Sequence, residues 1–146
     1  MIDIYFELEY GKLNEKIEHG KSTIYEYKSD IGNAYHMFIK RKIKGQIDGQ
    51  TWHDLITPYG YGGPILINCK EEDKESLIDK FHEDFKLYCK EHNIVSEFIR
   101  FHPVINNASD FDGIYEVSTI RKTIGTNLKD YEDPFQEEFS KSCRKK

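Results

Sequence analysis

The sequence has few cysteines and prolines, no long apolar run and no excess of positive charge. Its three cysteines, Cys69, Cys89 and Cys143, are widely spaced and form no CxxC pair. Such spacing favours reduced thiols over a disulfide framework or a metal site. The N-terminus lacks the basic and apolar segments of a signal peptide, and no apolar run approaches the roughly 18 residues of a membrane-spanning helix. We therefore expect a cytoplasmic protein with no membrane span.

The charge balance argues against one broad class of partner. With 21 basic and 26 acidic residues, the formal net charge is −5. A chain of this charge has no general positive field to attract DNA or other nucleic acid. The aromatic content, in contrast, is high, with ten Tyr and nine Phe among 146 residues. This composition predicts a single folded domain, residues 1–146, with an aromatic-rich core.

The order of the residue patterns predicts an α/β (α+β) fold, in which helices flank a mixed, mainly antiparallel central sheet. The patterns favour helices over residues 5–17 and 71–92, strands over 23–27, 34–43, 52–56 and 94–101, and β-structure again over 114–124. Residues 65–67 fit either a further strand or the exit from a loop. Turn residues at 30–33 and 45–50 separate the first strands, as in an antiparallel meander.

The helix over 71–92 has the clearest pattern, because its apolar residues recur at intervals of three and four while charged residues fill the other face. The apolar residues are Leu77, Ile78, Phe81, Phe85, Tyr88 and Cys89. We expect this face to pack on the sheet with Phe81 and Phe85 buried.

Two further segments carry specific predictions. Residues 94–101 have apolar side chains on both faces, which indicates a central strand buried on both sides. Near the end of the chain, Asp133 is placed to cap a helix, with Pro134 at its first position and Gln136 three residues beyond the cap. This pattern predicts an amphipathic helix that starts near residue 133 and continues for about three turns.

The most specialised stretch is residues 57–64, which read TPYGYGGP. Two prolines with fixed φ bracket three glycines that tolerate positive φ, so the pattern predicts a tightly shaped loop attached to the sheet. Tyr59 and Tyr61 lie between them. Two interpretations stay open at this point: a structural turn whose tyrosines cap the core, or a loop that contacts a ligand.

Three motifs carry a resemblance to a known family. The run DLITPYGYGGP at residues 54–64, FIRFHP at 98–103 and YHMFIKR at 35–41 together resemble the first half of the Fem-type (FemAB-like) acyltransferases. These are peptidoglycan aminoacyl-transferring proteins and relatives built from tandem GNAT-like domains. The resemblance covers most of the chain, and the loop motif is its most specific part.

The resemblance implies a GNAT-like fold and a role as the acceptor-binding first domain of a larger, two-domain protein. The implied reaction is attack of an acceptor amine on an activated acyl group, in cell-wall or surface-polysaccharide synthesis. The donor in the full-length protein would be acyl-CoA or aminoacyl-tRNA, and a second GNAT-like domain of the same parent chain would be a partner. The candidate substrate-binding residues are Tyr59, Gly60, Tyr61, Gly62, Gly63, Lys40, Arg41, Arg100 and His102.

The cationic candidates have two interpretations each. Lys40, Arg41 and Arg100 lead toward the loop and are suited to bind phosphate or carboxylate, but they equally suit ion pairs at strand edges. His102 fits either a binding role or a hydrogen-bonded structural histidine. No Ser or Cys neighbours a histidine in a way that identifies a nucleophile, so the catalytic residues are unknown.

No cofactor site is predicted in this chain. Acetyl-CoA binding in a GNAT fold needs a (Arg/Gln)-x-x-Gly-x-(Gly/Ala) turn at a helix N-terminus, where backbone N–H groups hold the pyrophosphate. The nearest stretch, residues 46–51, fails the last position and precedes a strand. Two alternative functions stay open: a non-catalytic module that binds a sugar or nucleotide-sugar, and a stand-alone small N-acetyltransferase, which the missing turn disfavours.

Overall fold

The computed structural model of the protein describes residues 3–46, 48–125 and 129–144. In these residues the chain forms a mixed α+β fold whose sheet has the order β1-β2-β3-β5, with β4 paired to β2. The strands are β1 (Gly20–Ser29), β2 (Gly32–Lys42), β3 (His53–Ile56), β4 (Ile65–Ile67) and β5 (Ile94–Phe98). All pairs are antiparallel except β3 with β5, which is parallel. The predicted fold class is confirmed.

Helices cover both faces of the sheet. α1 (Leu8–Glu18) lies on one face and α2 (Lys74–Glu91) on the other. Three short helices follow, α3 (Ala108–Phe111), α4 (Pro134–Glu137) and α5 (Lys141–Arg144), and a 3-10 turn (Ile4–Phe6) precedes α1. Within the described ranges, none of them is long and apolar enough to cross a bilayer.

The core lies between α2 and one face of the sheet. Phe81 and Phe85 are buried there against Phe38 and Leu55, and Phe111 closes one end. This confirms the predicted packing of α2. Burying each of these rings contributes roughly 1.5–3 kcal/mol, so this face is sufficient to fix the helix on the sheet.

The opposite face carries α1, which approaches the sheet closely at Gly11. A Cβ at this position would lie 2.9 Å from Ser22 Cβ and 3.0 Å from Met37 Sδ. The glycine therefore lies inside α1, where it allows close packing rather than breaking the helix. His19, in the left-handed conformation, ends α1, and Gly20 already begins β1.

The parallel pair of β3 and β5 positions the specialised loop. The chain between them contains the loop, β4 and α2, and because the two strands are parallel, both have their carboxyl ends at the same edge of the sheet. Beyond those ends the chains stay together, because Thr57 N donates to Phe98 O at 3.2 Å and Gly62 N donates to Arg100 O at 2.8 Å. Carboxyl ends of parallel strands are where α/β sheets commonly bind ligands.

The prediction that β5 is a central strand was wrong. β5 ends the strand order and pairs only with β3 in the described part of the chain, and Val95 and Phe98 are 53% and 55% exposed. The presence of its apolar residues is explained by local features rather than by a second covering layer. Val95 lies at a register shift in the β3–β5 pairing, and the Phe98 ring lies 5.9 Å from the Arg100 guanidinium.

The prediction of β-structure over residues 114–124 was also wrong. Tyr115 packs against Phe101 and Phe111, but the following residues pair with no strand, and Ile120 and Ile124 are 85% and 94% exposed. β-Propensity reflects how well a side chain packs on neighbouring strands, and in the described part of the chain residues 114–124 have no neighbouring strand.

The helix predicted near residue 133 begins there but is shorter than expected. Asp133 Oδ1 accepts a hydrogen bond from Gln136 N at 3.2 Å, and Pro134 occupies the first turn, as predicted. Helix α4 then ends at Glu137. Ser140 lies before a separate helix, α5, and its hydroxyl accepts from Cys143 N. A serine hydroxyl that bonds the backbone in this way favours a helix start over a helix interior.

Candidate functional site

The loop at residues 57–64 is held to the segment after β5 by Arg100. Arg100 Nη2 donates to Thr57 O at 2.7 Å and to Pro58 O at 2.9 Å, and Arg100 N donates to Thr57 Oγ1 at 3.1 Å. The same Nη2 lies 3.7 Å from Glu18 Oε1. Arg100 therefore clamps the loop, and the donors used for that purpose are not directed at a ligand.

A second anchor is Asn107, which is fully buried. Its Nδ2 donates to Gly62 O and to Pro64 O, both at 2.9 Å, and its Oδ1 accepts from His102 N at 2.9 Å. One side chain thus satisfies three backbone groups from two segments. The loop owes its shape to Asn107 and Arg100 together.

Two loop glycines have positive φ, +94° at Gly60 and +90° at Gly63. The Tyr5 ring occupies the place of a Cβ on Gly60, and a Cβ on Gly63 would lie 2.8 Å from Ile99 Cγ2. Gly62 and Gly63 are themselves buried. Protein side chains therefore fill the space next to these glycines, and the accessible part of the loop is formed by its tyrosines.

Four tyrosines meet at this edge of the sheet, and we call them the tyrosine surface: Tyr5, Tyr10, Tyr59 and Tyr61. The Tyr5 ring centroid lies 5.3 Å from that of Tyr10 and 5.5 Å from that of Tyr61, both nearly perpendicular. Tyr10 Oη donates to the backbone oxygen of Tyr59 at 2.8 Å, and Tyr59 is 71% exposed. Helix α1 and the loop therefore both contribute residues to this surface.

Most hydroxyls of this surface form no hydrogen bond among the described residues. Burial, followed by the proximity of Tyr10 and of the Asp3 carboxylate, raises the pKa of Tyr5. Among the described residues, the hydroxyls of Tyr5, Tyr59 and Tyr61 have no hydrogen-bond partner. Three phenol groups therefore remain available to donate to, or accept from, a bound molecule.

His102 lies beneath the tyrosine surface and is only 5% exposed. Its Nδ1 accepts from the backbone N–H groups of Val104 and Ile105, at 3.3 and 3.2 Å. Nε2 therefore carries a proton, and it lies 3.5 Å from Asp3 Oδ2. The ring also packs edge-on against Tyr61 at 5.4 Å. Both ring nitrogens are thus directed at protein groups, and His102 orients Asp3 and Tyr61.

The two other cationic candidates do not join this surface. Arg41 forms a two-point ion pair with Asp54, from Nε to Oδ1 at 3.0 Å and from Nη2 to Oδ2 at 2.6 Å. Lys40 lies opposite Leu55 in the β2–β3 register. Since Leu55 belongs to the core under α2, strand alternation places Lys40 on the face of the sheet that α1 does not cover.

The sequence analysis missed Asp3, Tyr5, Tyr10 and Asn107. Tyr10 and Tyr59 are 49 positions apart, and Asn107 is 45 positions from Gly62. No motif or periodicity links residues at such separations, because the contacts depend on how α1 and the turn before α3 dock on the sheet. The abundance of tyrosine was visible in the composition, but not the convergence of four of them.

Comparison of this chain with protein-family models, with curated proteins and with solved structures gives no match in any of the three.

Proposed function

We propose that this chain is the acceptor-binding domain of a Fem-type N-acyltransferase and that the tyrosine surface, together with Asp3, holds the amine of the acceptor. The observation that supports this most is the meeting of three unpartnered tyrosine hydroxyls and a carboxylate at the carboxyl ends of β3 and β5. The resemblance of the loop and FIRFHP motifs to that family gives the reaction class.

The chemistry of the surface suits an amine better than an anion. An ammonium group over a tyrosine ring gains about 0.5–2 kcal/mol, and a charge-assisted hydrogen bond to a carboxylate is stronger than a neutral one. Arg41 and Arg100, which would serve a phosphate or carboxylate, already bind Asp54 and the loop carbonyls. We therefore place the positive end of the acceptor next to Asp3 and its polar groups next to the tyrosine hydroxyls.

In this proposal the domain contributes position rather than bond-making groups. Holding an amine in one orientation lowers the entropic cost of its attack on an acyl carbon. The acyl donor, acyl-CoA or aminoacyl-tRNA, binds to the second GNAT-like domain of the parent protein. The acceptor is a cell-wall or surface-polysaccharide precursor that carries a primary amine.

A second candidate function is a module that binds a sugar. The exposed ring of Tyr59 favours it, because a flat aromatic face next to hydroxyl groups also suits the apolar face and hydroxyls of a pyranose. Sugar binding needs no charge on the ligand, whereas amine binding does. A comparison of charged and uncharged ligands therefore distinguishes the two candidate functions.

The experiment compares three ligands by calorimetry and NMR titration: Nα-acetyl-lysine amide, the same compound with an acetylated Nε, and N-acetylglucosamine. We expect the free amine to bind about tenfold more tightly than its acetylated form, since one charge-assisted contact is worth about 1.4 kcal/mol or more. Asp3→Asn should remove that difference, and Tyr61→Phe should weaken binding without lowering Tm. Tyr131→Phe, which loses only an exposed hydrogen bond to Glu138, is the matched control.

Each other outcome has a definite meaning. Equal affinity for the free and acetylated amines contradicts amine recognition, and binding of N-acetylglucosamine alone supports the sugar module. Binding of acetyl-CoA to the isolated chain in the low micromolar range would support a stand-alone acetyltransferase instead.

A further inference from the structure

A cavity of about 500 Å³ opens between α2 and β5, on the face of the sheet opposite α1. It is lined by side chains from four parts of the chain, including Trp52, Phe85, Cys89, Ile94, Glu97 and Tyr115. The volume lies within the roughly 300–1,000 Å³ typical of small-molecule sites. None of these residues belongs to the tyrosine surface.

The cavity is lined by a carboxylate that a buried histidine holds in place. Glu97 is 12% exposed, and its Oε1 accepts from Nε2 of His36, which is wholly buried. Tyr115 also lines the cavity, and burial together with the nearby Glu97 carboxylate raises the pKa of Tyr115. A buried carboxylate is costly unless it has partners, and here His36 is one.

His36, the partner of Glu97, is enclosed by the core. Its Nδ1 is buried and has no hydrogen-bond partner in the described ranges. The contact with Glu97 is thus the one hydrogen bond of the His36 ring among the described residues. The rings of Phe38 and Phe85, at 5.1 and 5.4 Å, surround His36. Glu97 therefore presents its carboxyl group to the cavity next to a histidine that is enclosed by aromatic rings.

The walls are apolar and the rim is basic. Burial raises the pKa of Cys89 to about 12, so its thiol stays neutral and acts as a small apolar group. Lys86 and Lys90 line the exposed rim, where Lys86 Nζ also binds Glu83 Oε1 at 3.0 Å. A ligand with one positive end fits this arrangement, whereas a second positive charge at the rim would be repelled.

We propose that this cavity is a second small-molecule site, which binds a planar aromatic monocation. The flat cationic group meets Glu97, because a carboxylate has about four acceptor positions and His36 uses one of them. The aromatic body lies against the apolar walls, where its burial favours binding. The ligand class is that of aryl amidines and protonated amino-heterocycles.

The test uses three isosteric probes on the full chain: benzamidine, benzamide and benzoate. Trp52 is the sole tryptophan and lines the cavity, so its fluorescence reports occupancy, and NMR shifts of Ser96 and Glu97 locate it. We expect saturable binding of benzamidine that is about tenfold tighter than that of benzamide, with benzoate weaker still. Glu97→Gln should bring benzamidine to the level of benzamide, while Glu91→Gln, an exposed carboxylate outside the cavity, should change nothing.

The comparison of probes needs only the unmodified protein, so it decides the question even if Glu97→Gln does not fold. Equal binding of benzamidine and benzamide would overturn the proposal, as would the absence of a saturable response to benzamidine up to its solubility limit. Retention of the preference for the cation in a folded Glu97→Gln variant would overturn it too. Shifts confined to the tyrosine surface would place the cation at the other site and also refute the proposal.

Discussion

Replacing Asn107 with alanine should lower the free energy of unfolding by about 3 kcal/mol, at about 1 kcal/mol for each hydrogen bond lost. The side chain makes three such bonds, to Gly62 O, Pro64 O and His102 N, and it is only 1% exposed. Water cannot readily replace it at these backbone groups, so the loss should exceed that of an exposed hydrogen bond. For a chain of this size, the corresponding decrease in Tm is about 10 °C.

Urea unfolding, followed by far-UV circular dichroism, measures this loss. Ser109→Ala is the matched control, since it removes only two exposed hydrogen bonds in the same turn, one to Asn106 O and one from Asn106 Nδ2. We expect it to cost under about 1 kcal/mol. In a folded Asn107→Ala variant, amide exchange at Gly62 should accelerate, because the loop loses an anchor. If Asn107→Ala unfolds within 1 kcal/mol of the unmodified protein, about the effect of a single average bond, Asn107 is not the anchor that we describe.

Three further predictions concern other parts of the fold. Gly63→Ala should destabilise the chain more than Gly45→Ala, measured by urea unfolding, because both have positive φ but only Gly63 has a side chain within 3 Å of the new Cβ; equal losses would contradict this. Hydrogen bonds from Ser22 Oγ and N–H and the proximity of Lys21 lower the pKa of Glu15 to about 2. Its contribution to stability should thus be complete above the unfolded pKa near 4.3 and be lost as the pH falls toward 2. In the Ser22→Ala variant, NMR titration should give a higher pKa for Glu15; an unchanged value would contradict the assignment. Cys89, with a pKa raised to about 12, should resist iodoacetamide at mildly alkaline pH until urea unfolds the chain, as mass spectrometry can determine; prompt labelling of the folded protein would refute this.

The elements with a strong local pattern were predictable from the sequence. Helix α2 presents Leu77, Phe81 and Phe85 at helical spacing, and this stripe is the one buried. The β1–β2 hairpin has β-branched and aromatic residues on either side of a turn, and it forms there. In both cases the signal lies within about 20 consecutive residues, where periodicity is informative.

The errors arose where long-range pairing overrides local preference. The apolar residues of β5 and of residues 114–124 have β-propensity, but propensity does not determine which strands become neighbours. β5 lies at the edge, where a register shift accommodates Val95, and residues 114–124 have no strand to pair with.

The candidate site was predictable only in part. The conformation of the loop followed from its prolines and glycines, and Gly60 and Gly63 do have positive φ. The role of Arg100 as a clamp depends on carbonyl groups 42 and 43 positions away. The participation of Tyr5 and Tyr10 depends on the docking of α1. Neither contact can be inferred from the residues that are adjacent in the sequence.

The measurement that tests the central proposal most directly is a two-dimensional NMR titration of the unmodified chain with Nα-acetyl-lysine amide. Shifts that saturate and that centre on Tyr5, Tyr59 and Tyr61, with a weaker response to the Nε-acetylated compound, are the predicted result. An absence of shifts at these tyrosines, or equal shifts with both compounds, would contradict the proposal that this surface binds an acceptor amine.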